Sequence, residues 1–257
     1  MIFLKQLLRR IQDCGIVALP WLKHWGITKQ HIRKYEKSGW IYAIGKGVFA
    51  REGISISWEM GLHVLQFQLD KKIHLGGKSA LICKGLGHYV QVEEKKIYIF
   101  SEPRVVVDKW FIQYDWKISP RIIHSSSLPT DIGLEEEKKE GVTILISSPE
   151  RAMLEMLCFT PTFFSFDESF HMMEGLSWLR PDLVQTLLEQ CSSIKGKRIF
   201  LFLGDFFKHP WMERLQIEKI DLGSGKRSLV KGGYYDKKYM ITVPQSFKEK
   251  IDESPLF

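Results

Sequence analysis

The sequence predicts an α+β chain in which a small module of helices and one β-hairpin precedes a mixed α/β region. Three observations support this: apolar residues at helical spacing from Leu4 to Ile11, alternation typical of strands from Trp40 to Ala50, and strand-like apolar runs from Ile97 onward. With 44% apolar and 12% aromatic residues, the 257-residue composition excludes an intrinsically disordered chain. No apolar run approaches the roughly 18 residues that cross a bilayer.

Three short helices are predicted near the start. The first is indicated by apolar residues at i, i+3, i+4 and i+7: Leu4, Leu7, Leu8 and Ile11. The second fits Leu19 to Trp25, followed by Gly26 at its exit. The third begins after the capping residue Thr28 and runs to about Ser38. Two strands should follow, joined by a tight turn at Gly45-Lys46-Gly47.

The third helix carries cations on one face. Lys29, Arg33 and Lys37 stand four residues apart, an arrangement that costs a few tenths of a kcal/mol per pair unless an anion is bound. Helices followed by a basic helix and a hairpin are the order of a winged helix-turn-helix, whose third helix enters the DNA major groove. We therefore predict a winged-helix core at about residues 1–53. Its candidate DNA-binding residues are Thr28, Lys29, Gln30, Arg33, Lys34, Lys37 and Lys46.

The charge distribution favours the same interpretation. Residues 1–52 hold ten of the 37 Lys and Arg residues and three of the 30 Asp and Glu residues, so they carry the whole net charge of +7. Residues 193–240 form a second basic block. A polyanion is the partner that such blocks suggest, and a solvated charged face is the alternative.

The middle of the chain has the patterns of packed helices, strands and loops rather than of a functional site. A core helix is expected from Trp58 to Leu69, a strand at Val105–Val107, and an exposed loop from Leu128 to Glu140. Ser148-Pro149-Glu150-Arg151 should open a helix, with Ser148 as its cap. A nucleophilic role for a serine here is disfavoured because no G-x-S-x-G turn surrounds it.

A glycine-rich basic loop occupies the C-terminal block. It contains the candidate partner-binding residues Lys219, Lys226, Arg227 and Lys231. Gly-Ser-Gly-Lys does not make a P-loop, because Ile220 stands where the first glycine belongs. The loop could contact RNA, DNA or an acidic protein surface, or be solvated. Gly196 is unusual, since an apolar or bulkier residue is expected there.

No enzyme, cofactor or metal site is predicted. The four cysteines have neither zinc-site spacing nor a close pair, which is typical of a reducing cytoplasm. An alternative hypothesis is a nucleic-acid-modifying enzyme guided by the winged helix. It would require carboxylates such as Asp205, Asp221 and Asp236 to converge.

Several motifs resemble the AbiEi antitoxins of type IV toxin–antitoxin systems, which act in bacterial abortive infection. The resemblance covers roughly Leu4 to Pro244, and its most specific segment is Lys219 to Gly233. The other motifs that carry it are Gly26-Ile27-Thr28 with Ser38-Gly39-Trp40, Gly45-Lys46-Gly47-Val48, His74 to Leu81, Ser148 to Ala152, and His209-Pro210-Trp211.

The resemblance implies two domains, a DNA-binding domain at 1–95 and an antitoxin domain at 96–257. The first would repress its own operon at inverted repeats in double-stranded DNA. The second would neutralise a nucleotidyltransferase-like toxin encoded beside it, without a stable complex between the two proteins. A winged-helix regulator with no antitoxin role is the other alternative. No membrane partner is expected under any of these interpretations.

Overall fold

The computed structural model describes Leu7, Ile11, residues 14–87 and residues 95–247. The chain is a mixed α/β protein with three sheets among these residues. It forms two compact units. The first comprises Met1–Leu75, Glu93–His124 and Glu135–Ile146, and the second comprises Gly76–Val92, Ser125–Leu134 and Ser147–Phe257.

Short helices and strands are interspersed along the chain. In the first half they are β1 (Ile16–Ala18), α1 (Leu19–Lys23), α2 (Lys29–Lys37), β2 (Ile41–Gly45), β3 (Val48–Arg51), α3 (Trp58–His63), β4 (Ile73–Leu75), α4 (Gly77–Cys83), β5 (Lys96–Ser101), α5 (Lys109–Gln113) and β6 (Ser119–His124). In the second half they are β7 (Leu134–Lys139), β8 (Val142–Ser147), α6 (Pro149–Cys158), α7 (Phe166–Glu174), α8 (Pro181–Gln190), α9 (Ile194–Phe206), β9 (Arg227–Ser228), β10 (Tyr234–Asp236) and β11 (Ile241–Val243).

The first unit begins with a three-stranded antiparallel sheet of order β1-β3-β2. Helices α1 and α2 and the β2–β3 hairpin lie where the sequence predicts them, whereas β1 was not predicted. The helix expected from Leu4 to Ile11 lies largely outside the described residues. Within it, Leu7 and Ile11 are described, and both are fully buried.

A five-stranded sheet of order β6-β5-β4-β8-β7 completes the first unit. The strand expected at Val105–Val107 is wrong: this segment is a loop, with Val106 75% exposed, and β6 instead pairs in parallel with β5. The loop expected from Leu128 to Glu140 is also wrong in part, because Leu134–Lys139 forms the edge strand β7. Charged side chains are common on edge strands, where they discourage pairing with other chains.

The helix expected from Trp58 to Leu69 changes type within that range. Helix α3 continues as a π-helical turn at Val64–Gln68. The wider turn shifts the phase of the helix, so Leu62 and Leu65 are buried while Phe67 is exposed and stacks on His63. The prediction that Phe67 belongs to the core is therefore wrong.

The second unit is built around α6, every residue of which is buried. Ser148 caps this helix as predicted, its Oγ accepting a hydrogen bond from the backbone N–H of Arg151. Glu155 Oε2 accepts from the backbone N–H of Gly77 at 3.0 Å and from Ser147 Oγ at 2.8 Å. Arg151 Nε donates to Glu155 Oε1 at 2.8 Å. These contacts give the His74–Leu81 and Ser148–Ala152 motifs a structural role.

Candidate nucleic-acid interface

Helix α2 is fixed at both ends by local interactions. The backbone N–H of His31 donates to Thr28 Oγ1, and the backbone N–H of Thr28 donates to His31 Nδ1, so each residue caps the other. At the other end Ser38 Oγ donates to the carbonyl of Lys34. Ile32 and Tyr35 are buried, which directs the remaining faces of the helix to solvent.

The exposed side of α2 is strongly cationic. We call its five exposed candidate residues the basic face: Lys29, Gln30, Arg33, Lys34 and Lys37. Within α2, Glu36 is the one acidic residue. Adjacent cations repel each other along the row from Lys29 to Lys37, and a bound polyanion would relieve this repulsion. Thr28 is also exposed, at the start of the helix.

The β2–β3 hairpin presents the seventh candidate residue. Lys46 is exposed in the two-residue turn between Gly45 and Val48, which pair across the hairpin. Gly47 completes the turn with a φ of +75°, a conformation that glycine adopts without strain. Its carbonyl accepts a hydrogen bond at 2.7 Å from the backbone N–H of Leu19, which holds the turn against the start of α1.

The turn end of β2 is packed against α5. Gly45 leaves no space for a Cβ, because the side chain of Trp110 fills that position. Tyr42 shares a hydrogen bond with Tyr114, and its pKa is raised by burial and by this neighbour. The position of Lys46 therefore depends on residues beyond the predicted winged-helix core.

Sequence reasoning missed three residues near the basic face. Trp25 and Trp40 precede and follow α2, and they remain 46% and 44% exposed. Apolar patterning assigned these residues to a helix and a strand and gave no sign of their exposure. His31 was also missed, although a histidine three residues after a threonine is compatible with reciprocal capping.

The second candidate set lies in the second unit. Lys219 is exposed in a 3₁₀ turn at Ile217–Lys219. Lys226 and Arg227 follow the glycines, and Lys231 stands in the turn after β9; all three are exposed. The Lys226 ammonium group lies over the Tyr235 ring, 4.9 Å from its centroid. A strand rather than a helix follows Lys226, unlike the arrangement of a P-loop.

One buried side chain holds this loop in shape. Arg198 of α9 is fully buried, and its guanidinium group donates to three backbone carbonyls of the loop and to that of Met240. The acceptors are Leu222 at 2.8 Å, Gly223 at 3.1 Å, Gly225 at 2.6 Å and Met240 at 3.1 Å. The part of this segment at residues 222–228 holds two of the four candidate residues, Lys226 and Arg227, and we call it the basic loop from here on. It therefore has a defined backbone despite its glycines.

The carboxylates required by the enzyme hypothesis have separate partners. Asp205 pairs with Lys238 at 2.7 Å. Asp221 accepts from the backbone N–H of Gly223, and Asp236 accepts from that of Tyr239. Within the described part of the chain, no group of three His, Cys, Asp or Glu residues could hold a metal ion.

Comparison with known families decides the classification. A family described as "Transcriptional regulator, AbiEi antitoxin, Type IV TA system" matches residues 94–244. Its N-terminal domain, described as "Transcriptional regulator, AbiEi antitoxin N-terminal domain", matches residues 2–92. The chain belongs to the AbiEi antitoxin family. The resemblance recognised in the sequence motifs is thereby confirmed, and the chain falls in a family of transcriptional regulators and antitoxins.

A solved structure shares the fold of this AbiEi family member. The RV2827C protein from Mycobacterium tuberculosis superposes with a TM-score of 0.59 at 13% sequence identity, over 94% of this chain and 91% of that chain. No curated protein matches the sequence. Among the described residues, every helix is too short or too polar to cross a membrane.

Proposed function

We propose that this AbiEi family member represses its own operon by binding inverted repeats in promoter DNA, and that it opposes a neighbouring nucleotidyltransferase-like toxin. In this proposal residues 1–95 supply the DNA-binding domain, with a winged-helix core at about 1–53. Residues 96–257 supply the antitoxin domain.

The observation that carries the DNA-binding proposal is the basic face of α2. A capped helix with Lys29, Gln30 and Arg33 exposed near its first turns matches a helix that enters the major groove N-terminus first. Lysine and arginine pair with guanine edges and glutamine with adenine edges. Lys34, Lys37 and Lys46 suit phosphate contacts, which position the protein without reading sequence.

Binding of the purified chain to a labelled duplex from its own promoter tests this proposal. We expect Arg33→Ala to weaken binding by about 1–3 kcal/mol and to reduce the preference over a scrambled duplex. Lys72→Ala is the matched control, because Lys72 is an exposed cation of the same unit paired with Asp70. Wild-type affinity in the Arg33→Ala protein would exclude α2 as the reading helix.

The antitoxin proposal rests on the basic loop. Its exposed cations Lys226 and Arg227 stand on a backbone that Arg198 has fixed, so they form a defined cationic surface. Cells expressing the neighbouring toxin provide the test. We expect the Lys226→Ala/Arg227→Ala protein to lose rescue, whereas Lys237→Ala, also an exposed cation, should retain it. Full rescue by the double variant would leave the loop without this role.

The same variants separate the alternative functions. If the chain is a regulator without an antitoxin role, the wild-type protein should bind promoter DNA but should not rescue the cells. If the chain has both roles, Arg33→Ala should impair DNA binding and leave rescue intact. Lys226→Ala/Arg227→Ala should abolish rescue and leave DNA binding intact.

A further inference from the structure

Two cysteines that are distant in sequence lie side by side in the second unit. Cys158 ends α6 and Cys191 directly follows α8, and their sulfur atoms are 3.8 Å apart. Cys158 is 9% exposed and Cys191 is 3% exposed. A disulfide bond is about 2.05 Å long, so bond formation requires the two sulfurs to approach by roughly 2 Å.

The pair lies at the start of α9. Ser193 caps this helix by accepting from the backbone N–H of Gly196 at 3.1 Å. A Cβ on Gly196 would stand 2.7 Å from Cys158 Sγ, so the glycine provides the space that this sulfur occupies. This packing accounts for a glycine where the sequence favours a larger residue.

The surroundings make the two thiols unequal. The pKa of Cys191 is lowered by the hydrogen bond from the Cys158 thiol and by the nearby charge of Lys197. The pKa of Cys158 is raised by the same hydrogen bond and by burial. Cys191 therefore has the larger thiolate fraction, and the Cys158 sulfur, 3.8 Å away, is in position to resolve its oxidised form.

We propose that Cys158 and Cys191 are a redox-sensitive dithiol that hydrogen peroxide closes into an intramolecular disulfide. The Cys191 thiolate attacks the peroxide, breaks the O–O bond and becomes a sulfenic acid as hydroxide leaves. The Cys158 thiol then attacks that sulfur, the S–S bond forms and water leaves with the thiol proton. The two sulfurs together lose two electrons, and the peroxide gains them.

Closure of the disulfide acts on the basic loop through α9. Ile194, the first residue of α9, lies 3.1 Å from where a Cβ of Gly223 would stand, and Arg198 holds the loop carbonyls one turn later. A shift of the first turn therefore reaches both contacts. The biological meaning of this coupling rests on the proposed antitoxin role of the loop, whereas formation of the disulfide does not.

The test uses the full chain, reduced and then treated with hydrogen peroxide. Before alkylation, we expect the mass of the oxidised chain to be lower by two hydrogens. After alkylation in denaturant, we expect two of the four thiols to be protected. Peptide mapping should give one cross-link, between Cys158 and Cys191, that dithiothreitol reverses. Four alkylated thiols, stable sulfinic acids at either residue, or a cross-link to Cys14 or Cys83 would overturn the proposal.

Variants and proteolysis complete the experiment. Cys191→Ser should abolish the cross-link, and Cys83→Ser, at a half-exposed cysteine outside the pair, should retain it. If a variant fails to fold, the wild-type peptide map still decides the pairing. Trypsin cleavage after Lys226 and Arg227 should change in rate on oxidation, while cleavage after Lys72 should not. An unchanged rate at the loop would overturn the coupling without bearing on toxin rescue.

Discussion

Gly45 at the end of β2 lies directly against the Trp110 side chain of α5, and the Cβ and Cγ atoms of Trp110 fill the space that a Cβ on Gly45 would need. The hairpin that carries Lys46 is thus supported by a segment far along the chain. This contact makes the geometry of the proposed DNA interface depend on packing outside residues 1–53.

Gly45→Ala should lower the free energy of unfolding by about 1–3 kcal/mol, because the added methyl group overpacks the site. In a Trp110→Gly background, which removes the Trp110 Cβ that the new methyl group would meet, the same change should cost much less, and urea unfolding of the four proteins measures the coupling. Gly175→Ala is the matched control, since its nearest neighbouring atom is 4.0 Å from the Cβ position. Equal penalties in both backgrounds would contradict direct packing.

Lys34→Ala and Lys46→Ala should each make DNA binding less sensitive to salt. Each phosphate contact contributes about 0.9 to the slope of log affinity against log salt, because counterions are released when it forms. We therefore expect each variant to lose about that much slope and to weaken binding to all duplexes equally. Titrations at several salt concentrations measure it, and a wild-type slope would remove the residue from the phosphate contacts.

Glu155→Gln should destabilise the second unit strongly. The carboxylate accepts hydrogen bonds from Gly77, Ser147 and Arg151 in a buried setting, and its loss leaves the Arg151 charge without its partner. We expect a cost of about 3 kcal/mol or more in chemical unfolding. Glu174→Gln, at an exposed glutamate beside His171, is the control. A change within about 0.5 kcal/mol, as at an ordinary surface site, would contradict a structural role for this network.

Stability should fall as the pH drops below about 6.5, in part because of His209. Burial lowers the pKa of His209, and its Nε2 hydrogen donates to the carbonyl of Met173 at 2.9 Å. Between its lowered folded pKa and its ordinary value, the unfolded chain binds the extra proton, so acid favours unfolding. His209→Gln should reduce the difference in unfolding free energy between pH 7.5 and pH 5.5. Burial also lowers the pKa of His63, so part of the difference in unfolding free energy should remain in the His209→Gln protein.

Local signals in the sequence predicted much of the first unit. The capping threonine and the glycine after Ser38 set the ends of α2, and alternation of apolar residues set the hairpin. The exposure of the basic face follows from helical periodicity once Ile32 and Tyr35 are placed inside. Strand β1 was missed because three residues carry no periodic signal, and its pairing with β3 is not local.

Apolar composition wrongly predicted a strand at Val105–Val107, and charge wrongly predicted a loop at Glu135 to Lys139. In both places the presence or absence of a neighbouring strand for pairing, rather than residue type, decides the structure. The supports of the two candidate sites were equally beyond sequence reasoning. Trp110 and Arg198 act on segments far from them along the chain, through contacts that exist only in the folded molecule.

The carbonyl acceptors around Arg198 have a consequence for recognition. A glycine-rich segment ordinarily loses much conformational entropy when it meets a partner, and that loss weakens binding. Here the ordering takes place during folding, so a partner that arrives at Lys226 and Arg227 encounters a surface already in its final shape. Association should then follow the rate of electrostatically guided collision, without a slow rearrangement afterwards.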